Sequence, residues 1–280
     1  MNKVNIPTIK KAKGSEQRLV CLTAYDCPTA RMLDNLGIDI ILVGDSVGNV
    51  LLGYEDTIPV TLEDIIHHTK AAKKGIDRAF LVADMPFMSY QSSISSAVEN
   101  AGRLVKEAGA QAVKIEGATP YIMERIRAVI EAGIPVMGHI GLTPQSVNQI
   151  GGYKLQGSTY KSAKELISLA KELDRIGVFS MVLEYVPVEV ARAITKKVSV
   201  PTIGIGAGPD CDGQILVTQD MLGFDAGFSP KFVKQYANVG ERIKKAISLY
   251  IKEVKSRDFP DSSHSYSMKS DELKKLKKIL

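Results

Sequence analysis

The chain has 280 residues, 45% of them hydrophobic and 24% charged, which is ordinary for a globular protein and long enough to bury a full-sized core. No apolar run approaches the roughly 20 residues that cross a bilayer. The first ten residues lack the apolar core of a secretory signal, and three cysteines without Cys-x-x-Cys spacing suggest neither a disulfide framework nor a zinc knuckle. The net charge of +5 is local: from Lys231 onward 13 Lys/Arg face 6 Asp/Glu, while the rest of the chain is slightly acidic. The basic character therefore belongs to a terminal helix and the Lys274–Lys278 stretch, read as a solvated face rather than a nucleic-acid interface. A reduced, cytoplasmic protein that engages neither membrane nor nucleic acid is expected.

In chain order, apolar runs predict strands over 20–25, 39–43, 79–83, 112–116, 135–140, 180–185, 201–205 and 214–217. They are continuous rather than alternating, as in strands covered on both faces. Between them lie helical stretches. Residues 61–75 open with Thr61 as a cap and acids in the first turn, and close with basic residues and Gly75. Apolar spacings of three and four mark 97–105 and 121–130, and Gly37, Gly109, Gly133 and Gly177 read as further stops. The segment 141–161 is a long loop rich in Gly, Gln and Ser, of the kind that forms lids or binding loops. Residues 206–213 are too short for a full helix, and a helix from Pro230 to about Arg257 is expected to seal the fold. Eight strands, most followed by a helix, predict a (β/α)8 TIM barrel in a single domain. It spans residues 1–265 with an N-terminal extension, and 266–280 form a lysine-rich tail.

In such a barrel the active site lies at the C-terminal ends of the strands. Asp45, Asp84 and Glu116 close three consecutive runs there. A carboxylate withdrawn from water costs roughly several kcal/mol unless it is paired or neutralised. Three together need a cation, and oxygen-only donors suit a hard divalent ion, Mg²⁺ best. Any one of them alone reads better as a cap or a solvated loop residue; it is the three at consecutive strand ends that point to a metal. Lys114, two residues before Glu116, faces the same side of its strand, as a charge for substrate or as a structural partner of Glu116. Glu184 ends the sixth strand across the mouth and suits a general base, or an ion pair with a loop lysine. His139 is either a supporting residue behind the ligands or a buried histidine satisfied by backbone. Tyr25, Asp26 and Ser46 complete the polar rim, His67 and His68 read as structural or surface residues, and Gly204–Gly208 is a weak phosphate-cradle signal.

Leu22-Thr-Ala-Tyr-Asp26, Val43-Gly-Asp-Ser-Val-Gly48, Ala83-Asp-Met-Pro-Phe87, Val113-Lys-Ile-Glu-Gly117, Gly138-His-Ile-Gly-Leu-Thr-Pro-Gln145, Gly151-Gly-Tyr-Lys154, Leu183-Glu184 and Gly204-Ile-Gly-Ala-Gly-Pro209 follow one another in the chain. In this order they resemble the ketopantoate hydroxymethyltransferase family, from about Thr8 to the Phe259–Tyr266 segment. The resemblance implies a Mg²⁺-dependent TIM barrel that transfers a hydroxymethyl group from 5,10-methylenetetrahydrofolate to 2-oxoisovalerate (3-methyl-2-oxobutanoate), giving ketopantoate in pantothenate biosynthesis. It implies metal ligation by Asp45, Asp84 and Glu116, oxoacid binding by Asp45, Ser46, Asp84 and Lys114, and proton abstraction by Glu184. It also implies a homodecamer built as a pentamer of dimers. Two departures stand out: Tyr185, where a small residue or Cys is expected, and the extension Met268–Leu280. The rival enzyme reading is a Mg²⁺-dependent carbon–carbon lyase or mutase of the phosphoenolpyruvate/isocitrate lyase type, separable by folate dependence. A basic-tailed interaction protein is the non-enzymatic rival, separable by deleting 266–280.

Overall fold

The computed structural model describes residues 2–224 and 230–280. Its strands are β1 (Leu19–Thr23), β2 (Ile40–Val43), β3 (Phe80–Asp84), β4 (Ala112–Glu116), β5 (Val136–Gly141), β6 (Ser180–Glu184), β7 (Thr202–Ile205) and β8 (Gly213–Leu216). Each pairs in parallel with the next, and β8 returns to β1 through Leu19↔Gly213 to Leu22↔Leu216, closing the (β/α)8 barrel. Its helices are α1 (Ile6–Lys11), α2 (Cys27–Asn35), α3 (Leu62–Lys73), α4 (Ile94–Lys106), α5 (Pro120–Glu131), α6 (Val147–Ile150), α7 (Tyr160–Ile176), α8 (Val188–Lys197), α9 (Thr218–Leu222), α10 (Val239–Ser256) and α11 (Ser270–Leu276). No helix stands between β7 and β8, as the short connection requires.

Period-two alternation divides the strand residues between two cores. Ile40, Leu42, Phe80, Val82, Ala112, Met137, Val182 and Ile203 pack together in one cluster, whereas Ile41, Val43, Leu81, Ala83, Val113, Ile115 and Leu183 join the cluster that includes the surrounding helices. The first cluster also takes in Val4, Ile9 and Ala12, so α1 packs with the barrel interior; its cap Asn5 accepts from the Thr8 amide. Following the interior series toward the strand C-termini leads from Phe80 and Val82 to Asp84, from Ala112 to Lys114 and Glu116, from Met137 to His139, and from Val182 to Glu184. The same face that is apolar below is ionisable at the mouth.

The helix signals act where they were read. Thr61 and Asp64 form a reciprocal capping box on α3, and Gly37, Gly109, Gly133 and Gly177 adopt positive φ. Gly75 does not: the C-cap of α3 is a right-handed Lys74, and a Cβ at Gly75 would strike the Cys27 carbonyl and sit 2.7 Å from the Arg31 amide. Close packing with α2, rather than a left-handed stop, requires glycine there. The expected helix from Pro230 begins only at Val239, where the Asn238 side chain caps Glu241 N; residues 230–238 hold a turn and no helix. By compactness the described residues group into a barrel unit of 2–221 with 230–234 and a second unit of 222–224 with 235–280. Among the described residues no helix is long and apolar enough to cross a membrane.

Candidate active site

Strand register brings the ionisable residues together. Asp84 lies beside Lys114, Glu116 beside His139, and Gly141 beside Glu184 across adjacent strands. Lys114 Nζ is 2.6 Å from Asp84 Oδ1 and 3.8 Å from Glu116 Oε1. His139 spans the next gap, with Nδ1 3.3 Å from Glu116 Oε1 and Nε2 3.2 Å from Glu184 Oε2. Asp45 follows β2, and its amide donates to Asp84 Oδ2 at 3.0 Å. Gly44 makes this approach possible: a Cβ there would lie 3.2 Å from Asp84 Oδ2 and 2.8 Å from Ser46 Oγ. Ser46 is half-buried and shares a 2.8 Å hydrogen bond with the buried Tyr25 hydroxyl.

Asp45, Asp84, Lys114, Glu116 and His139 are all buried, and Glu184 keeps 17% of its side chain exposed toward solvent. Burial, followed by the neighbouring charges of Asp84 and Glu116, pushes Asp45 well above the ordinary carboxyl range. Burial also raises Asp84, against the opposing pull of Lys114. Burial acts to raise Glu116 as well, but His139 and then Lys114 outweigh it and hold that carboxyl below its usual value. Burial alone would lower His139, yet Glu116 and hydrogen bonding carry it to about 9. Burial likewise opposes the charge on Lys114, which the surrounding carboxylates nevertheless hold above its ordinary range.

Four carboxyl groups thus face one lysine and one histidine, so their full ionisation would leave negative charge in excess, which is what the raised Asp45 and Asp84 resist. Asp84 Oδ1 and His139 Nε2 are buried without an aligned hydrogen bond, although their ion-pair partners are near. Among the described residues no three His, Cys, Asp or Glu side chains form a ready metal cage. Carboxylate oxygens with a charge surplus fit an ion that keeps part of its water shell, as Mg²⁺ does.

Several sequence alternatives resolve here. The nearest partner of Lys114 is Asp84 across the strands, not Glu116 along its own strand. Glu184 meets His139 rather than a loop lysine. Asp26 is a helix cap for α2, accepting from Thr29 N and Oγ1, and His68 Nδ1 bonds the Tyr25 carbonyl. In the Gly204–Gly208 turn, a Cβ at Gly206 would lie 2.8 Å from the Phe232 ring and one at Gly208 2.6 Å from Val188, so close packing by this chain's own side chains already requires glycine at both positions. Tyr185 takes a positive φ of 49° and its ring lies beside Phe232, centroids 5.9 Å apart. Gln145 was missed: it lies in the 141–161 segment, yet it is buried and donates to Asp45 Oδ2 at 2.8 Å. The only sequence signal was its place at the end of the Gly138–Gln145 motif.

A family described as ketopantoate hydroxymethyltransferase matches residues 3–262. The 3-methyl-2-oxobutanoate hydroxymethyltransferase of Thermoanaerobacter sp. (strain X514) is 56% identical over 272 residues, covering 97% of this chain and 99% of the relative. That of Clostridium novyi (strain NT) is 55% identical over 274 residues, covering 98% and 99%. Among solved structures, a 2,3-dimethylmalate lyase of the PEP mutase/isocitrate lyase superfamily shares the fold, with a TM-score of 0.59, 16% identity and 98% of each chain covered. A phosphoenolpyruvate phosphomutase from Streptomyces platensis subsp. rosaceus does so with a TM-score of 0.61 and 13% identity, covering 98% of this chain and 96% of its own. These two share the barrel; the near-full-length match above half identity places the chain more narrowly, and it belongs to the ketopantoate hydroxymethyltransferase family.

Proposed function

We propose that the protein transfers a hydroxymethyl group from 5,10-methylenetetrahydrofolate to 3-methyl-2-oxobutanoate, forming ketopantoate, the first step toward pantothenate. Asp45, Asp84 and Glu116 would hold Mg²⁺, directly or through water. When bound, Mg²⁺ withdraws electron density from the keto group of the oxoacid and makes its C3 proton more acidic. Asp45, Ser46, Asp84 and Lys114 bind and orient the oxoacid, with the Lys114 ammonium next to its anionic oxygens. Glu184, reachable from solvent and held by His139, accepts the C3 proton. One C–N bond of the methylene bridge breaks with its electron pair left on that nitrogen. Water adds to the methylene carbon and the second nitrogen leaves with its own pair and a proton, giving tetrahydrofolate and a one-carbon unit at the aldehyde level. The electron pair left on C3 forms the new bond to that carbon, the π electrons of its C=O move to oxygen, and that oxygen takes up a proton as the hydroxymethyl group.

The observation that supports this reading is the chain Glu116–His139–Glu184, with His139 between the oxygen-donor set and Glu184, the base in this reading. The exposed apolar stripe of α10, argued below, supports a homo-oligomer, a decamer by family resemblance. In the same reading the enzyme works in the cytoplasm on small molecules, without nucleic acid or membrane, with residues 1–265 as catalytic domain and 266–280 as an appended tail. Proton-to-deuterium exchange at C3, followed by NMR with and without Mg²⁺ and tetrahydrofolate, tests it. Glu184→Gln is expected to slow exchange by roughly 10²–10⁴-fold while leaving oxoacid binding nearly intact. Undiminished exchange would assign the proton to another base, and absence of ketopantoate with the folate donor present would overturn the transferase reading.

A further inference from the structure

We infer that Gln145 is a positioning residue that holds Asp45 in the cation-binding set, so that the loop after β5 tunes the affinity of the site for Mg²⁺. The inference deepens the reading of Asp45, Asp84 and Glu116 as Mg²⁺ ligands and rests on it.

Gln145 is not on a barrel strand. It sits in a single 3-10 turn, Pro144–Ser146, yet it is as buried as the ligand set. Its Nε2 donates to Asp45 Oδ2 at 2.8 Å and to the Met85 carbonyl at 3.0 Å. Its Oε1 accepts from the Tyr90 hydroxyl at 2.8 Å and from Gln91 Nε2 at 3.4 Å. Its own amide donates to Glu116 Oε2 at 3.2 Å. Both protons of the side-chain amide and both acceptor positions are thereby used. The orientation is also decided by chemistry. With nitrogen and oxygen exchanged, Oε1 would face the Met85 carbonyl, two acceptors without a proton between them. Tyr90 is buried, and its one hydroxyl proton is shared between Gln145 Oε1 and the Glu116 carbonyl at 3.1 Å. The amide is held from one side by the core and applied to Asp45 from the other.

The three carboxylates differ in what else restrains them. Asp84 is held at Oδ2 by the Asp45 amide and at Oδ1 by Lys114. Glu116 is held by His139 and by the Gln145 backbone, which a side-chain substitution leaves in place. Among the described residues the Asp45 side chain receives one hydrogen bond, from Gln145. Removing that amide releases the rotation of Asp45 and leaves the other two carboxylates tethered. Outer partners of metal ligands typically carry about 10–100-fold in metal affinity, and that is the loss expected here.

The test is calorimetric titration of the full-length, oxoacid-free enzyme with Mg²⁺. Gln145→Met keeps the length and most of the volume of the side chain and removes the donor. It is expected to bind Mg²⁺ about 10–100-fold more weakly, with kcat at saturating Mg²⁺ retained and the Mg²⁺ concentration for half-maximal rate raised in the same proportion. Tyr90→Phe, which removes only the hydroxyl that orients the amide, is expected to move affinity in the same direction by less. Unchanged Mg²⁺ affinity in Gln145→Met overturns the inference. If that variant does not fold, unchanged affinity in Tyr90→Phe does so. Asp84→Ala separates the two levels: if it titrates like wild type, the metal reading itself falls. If it loses Mg²⁺ while Gln145→Met keeps it, only the role of Gln145 falls.

Discussion

Lys114 lies between Asp84 and Glu116, where burial opposes its charge and the surrounding carboxylates restore it. Taking away one member of a buried charge cluster leaves its partners unpaired, which costs about 3–5 kcal/mol. Lys114→Met, which keeps the aliphatic stem, is therefore expected to lose stability of that order in metal-free protein, measured by urea unfolding. Added Mg²⁺ is expected to narrow the gap by supplying charge to the same carboxylates. Stability equal to wild type would show that the ammonium compensates nothing. The residue itself was legible, because an ionisable side chain at an interior strand position has few structural uses. Its closest partner was not. Period two along β4 pairs Lys114 with Glu116, whereas the nearer Asp84 follows from the β3–β4 register, which no local pattern encodes. Gln145 was hidden for a similar reason: an uncharged amide in a loop gives no sign of burial until the path of the loop is known.

At the level of elements, the segment from β5 into the following turn links the proposed base to the proposed metal ligands. His139 contacts Glu116 and Glu184, Leu142 N donates to the Glu184 carbonyl at 2.8 Å, and Gln145 returns to Asp45. Gly141 makes the path possible. Its φ is +100°, and a Cβ there would collide with the Glu184 carbonyl and lie 2.9 Å from Val186 Cγ1. Gly141→Ala is expected to cost about 1–3 kcal/mol of stability and, by displacing the Glu184 backbone, to slow C3 deuterium exchange as well. Normal exchange in a destabilised variant would separate the two effects and deny the link. Thr61→Ala is the contrasting case. It removes a cap that was read from sequence and confirmed in α3, far along the chain from these residues. Its expected effect is about 1 kcal/mol of stability with exchange unchanged. Caps, strand ends and the glycine stops other than Gly75 are legible because each is set by neighbours in sequence. The 141–161 segment is not, because its contacts reach from β2 to β6.

For the whole chain, the decisive feature is α10. Ile243, Ile247, Tyr250 and Val254 recur at spacings of four, three and four residues, and are 39%, 53%, 56% and 44% exposed. The expectation of a helix in this region was right in kind but began it nine residues early, because Pro230 and the cap at Asn238 place the start at Val239. A continuous apolar stripe on an 18-residue helix is unusual on a chain that stays alone in water. At about 25 cal/mol per Å² of apolar surface buried, covering such a stripe is a substantial driving force for association. A second copy of the chain is the occupant that the family resemblance supports. The wild-type protein is expected to sediment well above the mass of one chain, and Ile247→Glu, which sets a charge in the centre of the stripe, is expected to shift it to smaller species. Urea unfolding of the variant at low concentration distinguishes lost assembly from lost folding. If the wild type sediments as a single chain, or if Ile247→Glu keeps the wild-type size, the stripe is not the surface that joins the copies.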